Sequence, residues 1–215
     1  MHAGKNTERE DDVRLIATVP VSTQPSGVPM SRFALGFLVV LALTAPAVAD
    51  TASAAKPPTL AELYDRLAVS KTDAEAAGLV RAIGKAQLQS GSDTADLLMS
   101  RALTAIEAKR YDTAIELLSA ILRQSPDYTE AWNKRSLAYY LKNQYSRSVA
   151  DIAQTLKRDP RHFGAWAGLG AILEATGDKK HAYAAYQKAI AINPHLPGVQ
   201  KEIDDMKKEV EGQDI

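Results

Sequence analysis

The chain has 215 residues, and its 26 Lys and Arg are matched by 26 Asp and Glu, interspersed, so it carries no basic stripe of the kind a nucleic-acid binder shows. It holds no cysteine, which excludes disulfide support and thiol chemistry. None of its four histidines pairs with another at i, i+4, and no Gly-rich phosphate loop, nucleophile elbow or triad pattern occurs, so no metal, no cofactor and no catalytic residue is expected.

Residues 1–29 are polar, mixed in charge and without periodicity. At Met30 the character changes. Arg32 is followed by an apolar run of about a dozen residues and then by Ala47-Val48-Ala49, a small-residue cleavage motif. The run falls short of the ~20 residues a membrane span needs, and Pro46 interrupts it. The expectation is a signal peptide at 30–49 cut after Ala49, with translation starting at Met30 and 1–29 an over-extended or disordered N-terminus. No cysteine follows the cut, so no lipid anchor is expected, and the implied address is the periplasm. Residues 50–58, rich in Ala, Lys and Pro, read as a linker.

Residues 59–94 read as a helical hairpin. Thr72 with Glu75 three residues on is a capping box opening a helix, on which Leu79, Val80, Ile83 and Leu88 share a face, and Gly91 marks a stop.

From there the sequence repeats. Pro126, Pro160 and Pro194 lie 34 residues apart and close units 95–128, 129–162 and 163–196. Each proline follows an apolar helix and ends it, because it lacks an amide donor and restricts the residue before it. Small residues recur where the two helices of a unit must approach closely: Ala102 and Ala114, Ser136 and Ser148, Gly170 and Ala182. Large ones recur at helical spacing, among them Trp132, Ile152, Trp166, Leu173 and Tyr186. Gly177-Asp178 marks the turn inside the third unit. His162 and His195 flank the prolines, where polar surface residues are expected. Residues 197–215 read as a capping helix begun by Pro197, with Val199, Ile203, Met206 and Val210 in one narrow stripe facing the open end of the stack.

With Trp166, Leu169, Gly170, Ala182, Tyr186, Ala189 and Pro194 at seven of eight marker places, the third unit resembles the tetratricopeptide repeat (TPR) family, and the other two units follow in phase. The marker places of the family, extended upstream, put Tyr64, Leu67 and Ala68 of 59–94 in phase as a degenerate unit. The resemblance implies an all-α solenoid of antiparallel helix pairs whose first helices line a concave groove. Carried over by place, the protein-binding lining is Asp96, Met99, Leu103, Asn133, Leu137, Tyr140, Ala167 and Ala171. The places of the family's carboxylate clamp hold Met99, Leu103, Lys134, Gly164 and Gly168, so a clamp on a chaperone tail is not expected. An apolar peptide or an amphipathic helix suits such a groove better. The role implied, by likeness to small exported TPR proteins of Gram-negative bacteria, is a non-catalytic scaffold or adaptor for proteins of the cell envelope. A periplasmic holdase for unfolded or membrane-bound clients is the second reading.

Overall fold

The computed structural model describes residues 56–211; the segments 1–29 and 30–49, most of the 50–58 linker and residues 212–215 lie outside the described residues. Among the described residues the structure is helical, without strands. A hairpin of α1 (Leu60–Ala68) and α2 (Asp73–Gln87) comes first. Three antiparallel pairs follow: α3 (Asp93–Glu107) with α4 (Tyr111–Gln124), α5 (Thr129–Leu141) with α6 (Tyr145–Arg158), and α7 (Phe163–Ala175) with α8 (Lys179–Ile192). The last helix, α9 (Val199–Glu211), packs on α8. No described helix is long and apolar enough to cross a membrane.

The pairing within each unit rests on the small residues. Ala102 and Ala114 are fully buried where α3 meets α4. At the matching place of the second unit, Ser148 Oγ donates to the Ser136 carbonyl at 2.8 Å, so the hydroxyl is satisfied across the contact it makes possible. In the third unit, a Cβ on Gly170 would lie 2.5 Å from the Tyr186 ring. Only glycine lets α7 and α8 come that close.

The turns inside the units also repeat. Lys109, Asn143 and Gly177, each 34 residues from the next, all have positive φ (58°, 56° and 88°). The amides of Arg110, Gln144 and Asp178 reach back to the carbonyls of Ala105, Tyr139 and Leu173 at 2.8–2.9 Å. This is a left-handed C-terminal cap that satisfies carbonyls the helix leaves open. Glycine suits it best, yet only the third unit has one.

Two boundaries differ from expectation for local reasons. Thr72 does cap α2, accepting from the Glu75 amide, but the Glu75 carboxylate reaches the Lys71 amide instead of Thr72. The reciprocal box forms one helix earlier, where the Thr59 amide donates to Glu62 at 2.7 Å. At the other end, Gly198 has φ 78°, so the last helix begins at Val199 and not at Pro197. Val199, Ile203 and Met206 are buried against the third unit.

The hairpin does not stack on the first unit as one unit stacks on the next. Instead α1 packs against α8, and the shared core of Leu63, Tyr64, Leu67, Leu79 and Ile83 is joined by Phe163 and Ile192. The hairpin thus lies along the row of inter-repeat turns, touching three of them.

Candidate protein-interaction surface

The eight residues expected to line a groove are divided among several packing contacts. Asp96 is half-buried and its carboxylate accepts from the Ser90 amide, which fastens the α2–α3 loop. Met99 is buried in the core of the first unit, with Leu103 packed against it. Asn133 donates to the Glu130 carboxylate at 3.2 Å. Together with Leu137 and Tyr140 it faces Gly164, Gly168 and Ile172 of α7, and the space left between them is about 10 Å³, room for at most one water. Ala167 joins the core shared with α8 and α9, and Ala171 packs with Tyr140 and Ile152. Leu137, Tyr140, Ala167 and Ala171 are thus buried as folded.

Below them lies an ionic cluster that the sequence did not disclose. Glu130, in the first turn of α5, is 4% exposed; it pairs with Lys134 at 3.0 Å and receives His162 Nε2, also at 3.0 Å. His162 is 5% exposed, contrary to its expected surface position. It serves as the N-cap of α7: Nδ1 accepts from the Ala165 amide, which leaves the ring proton on Nε2, aimed at Glu130. Burial opposes ionisation of Glu130, but the Lys134 charge and the His162 hydrogen bond outweigh it and hold the carboxyl down at about 2. Lys134, the basic residue at a clamp place, is therefore committed to an internal pair.

The two tryptophans mark the same repeated geometry. Trp132 Nε1 donates to the Pro126 carbonyl at 2.8 Å and Trp166 Nε1 to that of Pro160 at 2.9 Å. Both are half-buried, and cations lie over their faces: Arg135 4.9 Å from the Trp132 centroid and Lys188 4.4 Å from that of Trp166.

The open surface is at the seam between hairpin and turns. A cleft of about 540 Å³ runs there, lined by Leu60, Tyr64 and Gln89 on one side and Tyr128, Glu130 and Arg158 on the other. The hairpin is fastened to the turns by contacts between residues far apart in sequence. Tyr128 Oη donates to the Leu88 carbonyl at 2.8 Å. Tyr64 Oη donates to Asp159 at 2.7 Å and accepts from Gln87 at 2.9 Å. Burial first, then the Asp159 carboxylate, push the Tyr64 phenol far above its usual value, so it remains a donor. Arg161 pairs with Asp65 at 2.7 Å while its guanidinium lies 5.0 Å from the Tyr64 ring centroid. At the far end His195 Nδ1 meets Asp73 at 2.6 Å and Nε2 meets the Ser70 carbonyl at 3.0 Å. Within the cleft, Arg158 Nε is buried without a hydrogen-bond acceptor, 3.9 Å from Asp127. No short-range signal flags Tyr64, Asp159 or His195, because each acts on a residue that is distant in the chain.

Helix pairs in 34-residue phase, joined by proline turns and closed by an amphipathic helix, define a helical-repeat scaffold. The Tetratricopeptide repeat family profile matches residues 74–129, 99–150 and 133–197. A TPR repeat-containing protein of Rhizobium etli is 31% identical over 161 residues, covering 75% of this chain and 79% of that protein. The chain belongs to the tetratricopeptide repeat family. Other curated relatives share half of their own length or less with it. Among solved structures, the Sgt2 TPR domain from Aspergillus fumigatus superposes with TM-score 0.52 at 25% identity, over 57% of this chain and 83% of that domain. The first TPR of Spaghetti, solved bound to an HSP90 peptide, gives TM-score 0.53 at 17% identity over 56% of this chain and 95% of that one, a likeness of fold alone.

Proposed function

We propose that this chain is a non-catalytic adaptor that works in the periplasm, binding a protein partner of the cell envelope and supporting envelope assembly or integrity. Membership of a family built to present surfaces supports the adaptor part, and the Met30–Asp50 pattern supports the address. The observation that carries the interaction reading is the seam. A cleft of about 540 Å³ opens there, lined from two parts of the chain, the hairpin and the inter-repeat turns. A chaperone-tail clamp is not part of this reading, since Lys134 is held by Glu130. The holdase alternative gains little from the structure, whose exposed large hydrophobics among the described residues are Val69 and Leu97.

The test is a photo-crosslinking residue at Gln89, exposed and on the cleft wall, with adducts formed in living cells identified by mass. One discrete envelope protein is the expected result. Adducts confined to the chain itself, or to cytoplasmic proteins, would overturn the adaptor reading. Intact mass of the cellular protein tests the address, with a mature chain starting at Asp50 expected.

A further inference from the structure

The seams of this molecule are filled unequally. The gap between the second and third units at Leu137 and Gly168 holds about 10 Å³, whereas an open cleft of about 540 Å³ runs between hairpin and turns, with a buried arginine nitrogen lacking an acceptor. Close packing is the rule inside a permanently assembled core. Besides the apolar core it shares with Phe163 and Ile192, the hairpin is held by two ion pairs whose carboxylates face solvent: the Asp65 side chain is 70% exposed and that of Asp73 is 97% exposed. In both ion pairs the cation, Arg161 or His195, lies on the solenoid and the carboxylate, Asp65 or Asp73, on the hairpin, while the solenoid's Asp159 accepts from Tyr64. A short loop carrying Gly91 at φ 78° joins the hairpin to α3.

His195 has a further property. Both ring nitrogens face acceptors, a carboxylate and a carbonyl, so both contacts are hydrogen bonds only when the ring is the doubly protonated imidazolium. The Ser70 carbonyl, followed by the Asp73 carboxylate, raises its pKa, and the other charged group acting on it is Glu75 of α2. The fastening is fully made below the ordinary histidine value and is lost as pH rises through the elevated one.

We propose that the face of the solenoid under the hairpin, Asp159–Phe163 with Ile192–His195, is a docking surface for an acidic amphipathic helix of a partner protein, and that the α1–α2 hairpin is its detachable internal occupant, latched through His195. The inference rests on the interaction reading above and names the partner's chemistry. The occupant defines that chemistry: apolar residues one turn apart, as Leu63 and Leu67, a hydroxyl donor for Asp159, a carboxylate for Arg161 and a second for His195. Charge complementarity selects an acidic helix over a neutral or basic one.

The latch is best opened from the hairpin side, with Asp73→Asn, because that side chain is nearly fully exposed and contributes little to the core. The probe is a fluorescent peptide copying Thr59–Glu75, titrated into the full chain and read by anisotropy. Asp73→Asn should bind it about tenfold more tightly than the native chain, as removing an internal competitor raises the open fraction. Adding Arg161→Glu should abolish that binding, and binding to Asp73→Asn should weaken as pH rises above the ordinary histidine range, unless His195→Gln is also present. Hydrogen exchange checks the opening, with α1 amides faster in Asp73→Asn and α7 and α8 unchanged. Equal probe binding by the native chain and Asp73→Asn, or protection of α1 retained in the variant, would overturn the proposal. A dimer of Asp73→Asn by light scattering would overturn it too, because the occupant would then be a second copy. Should the Gln89 crosslink capture the same envelope protein equally from both chains, the adaptor stands and the latch falls.

Discussion

The repeat array and the hairpin are both helical, but they are held by different kinds of contact. In the array, each helix packs on its sequence neighbours and the same features return every 34 residues: a small-residue crossing and a left-handed turn in all three units, and an indole bonded to a proline carbonyl in the second and third. The hairpin is joined to the array over long separations, by an apolar core with Phe163 and Ile192 and by polar contacts such as Tyr64 with Asp159 and Asp73 with His195. Nearest-neighbour packing gives a stack whose stability is a sum of local terms, and it tolerates variation in any one unit. The hairpin's attachment depends on contacts distant in the chain, so its opening can be measured apart from that of the stack.

The largest expected effect lies in the array. Glu130→Ala leaves Lys134 buried without its counter-charge and should cost about 3–5 kcal/mol in urea unfolding. The same carboxylate gives an acid limit. Its folded pKa of about 2 lies below the ordinary value, so its contribution is complete above about pH 4.5 and is lost as pH falls toward 2. In Glu130→Gln, that portion of the acid transition should flatten. Next comes Gly170→Ala, which drives a methyl into the Tyr186 ring and should lower stability by about 1–3 kcal/mol, seen as a reduced thermal midpoint.

Tyr64→Phe sharpens the contrast. It removes the hydrogen bond to Asp159 and should cost about 1 kcal/mol. If the hairpin is separable, exchange should quicken in α1 and not in α5 or α6; a uniform change would make hairpin and array one cooperative unit. The smallest effect is a gain. Lys109→Gly relieves a left-handed lysine where the third unit has Gly177, and should stabilise by about 0.5–1 kcal/mol.

Trp166→Ala tests how far repeat position predicts packing. Its place in the pattern implies the ~3–5 kcal/mol of a fully buried tryptophan. The indole is half-exposed under Lys188, so a smaller loss in thermal unfolding is expected.

The sequence by itself determined the array. Proline spacing placed the breaks, small residues placed the crossings, and apolar periodicity placed the buried faces, because these are local rules that recur within one 34-residue window. It also determined the hairpin and the final amphipathic helix as elements. Only the tertiary structure decided where the hairpin goes, that His162 and Lys134 are spent on a buried Glu130, and that Leu137 and Tyr140 are packed against α7. The hairpin's place and the packing on α7 depend on contacts between separate units or across about half the chain, and the Glu130 cluster joins the two ends of one unit. Periodicity says which face of a helix is apolar, but the neighbour that covers the face is chosen by packing in three dimensions.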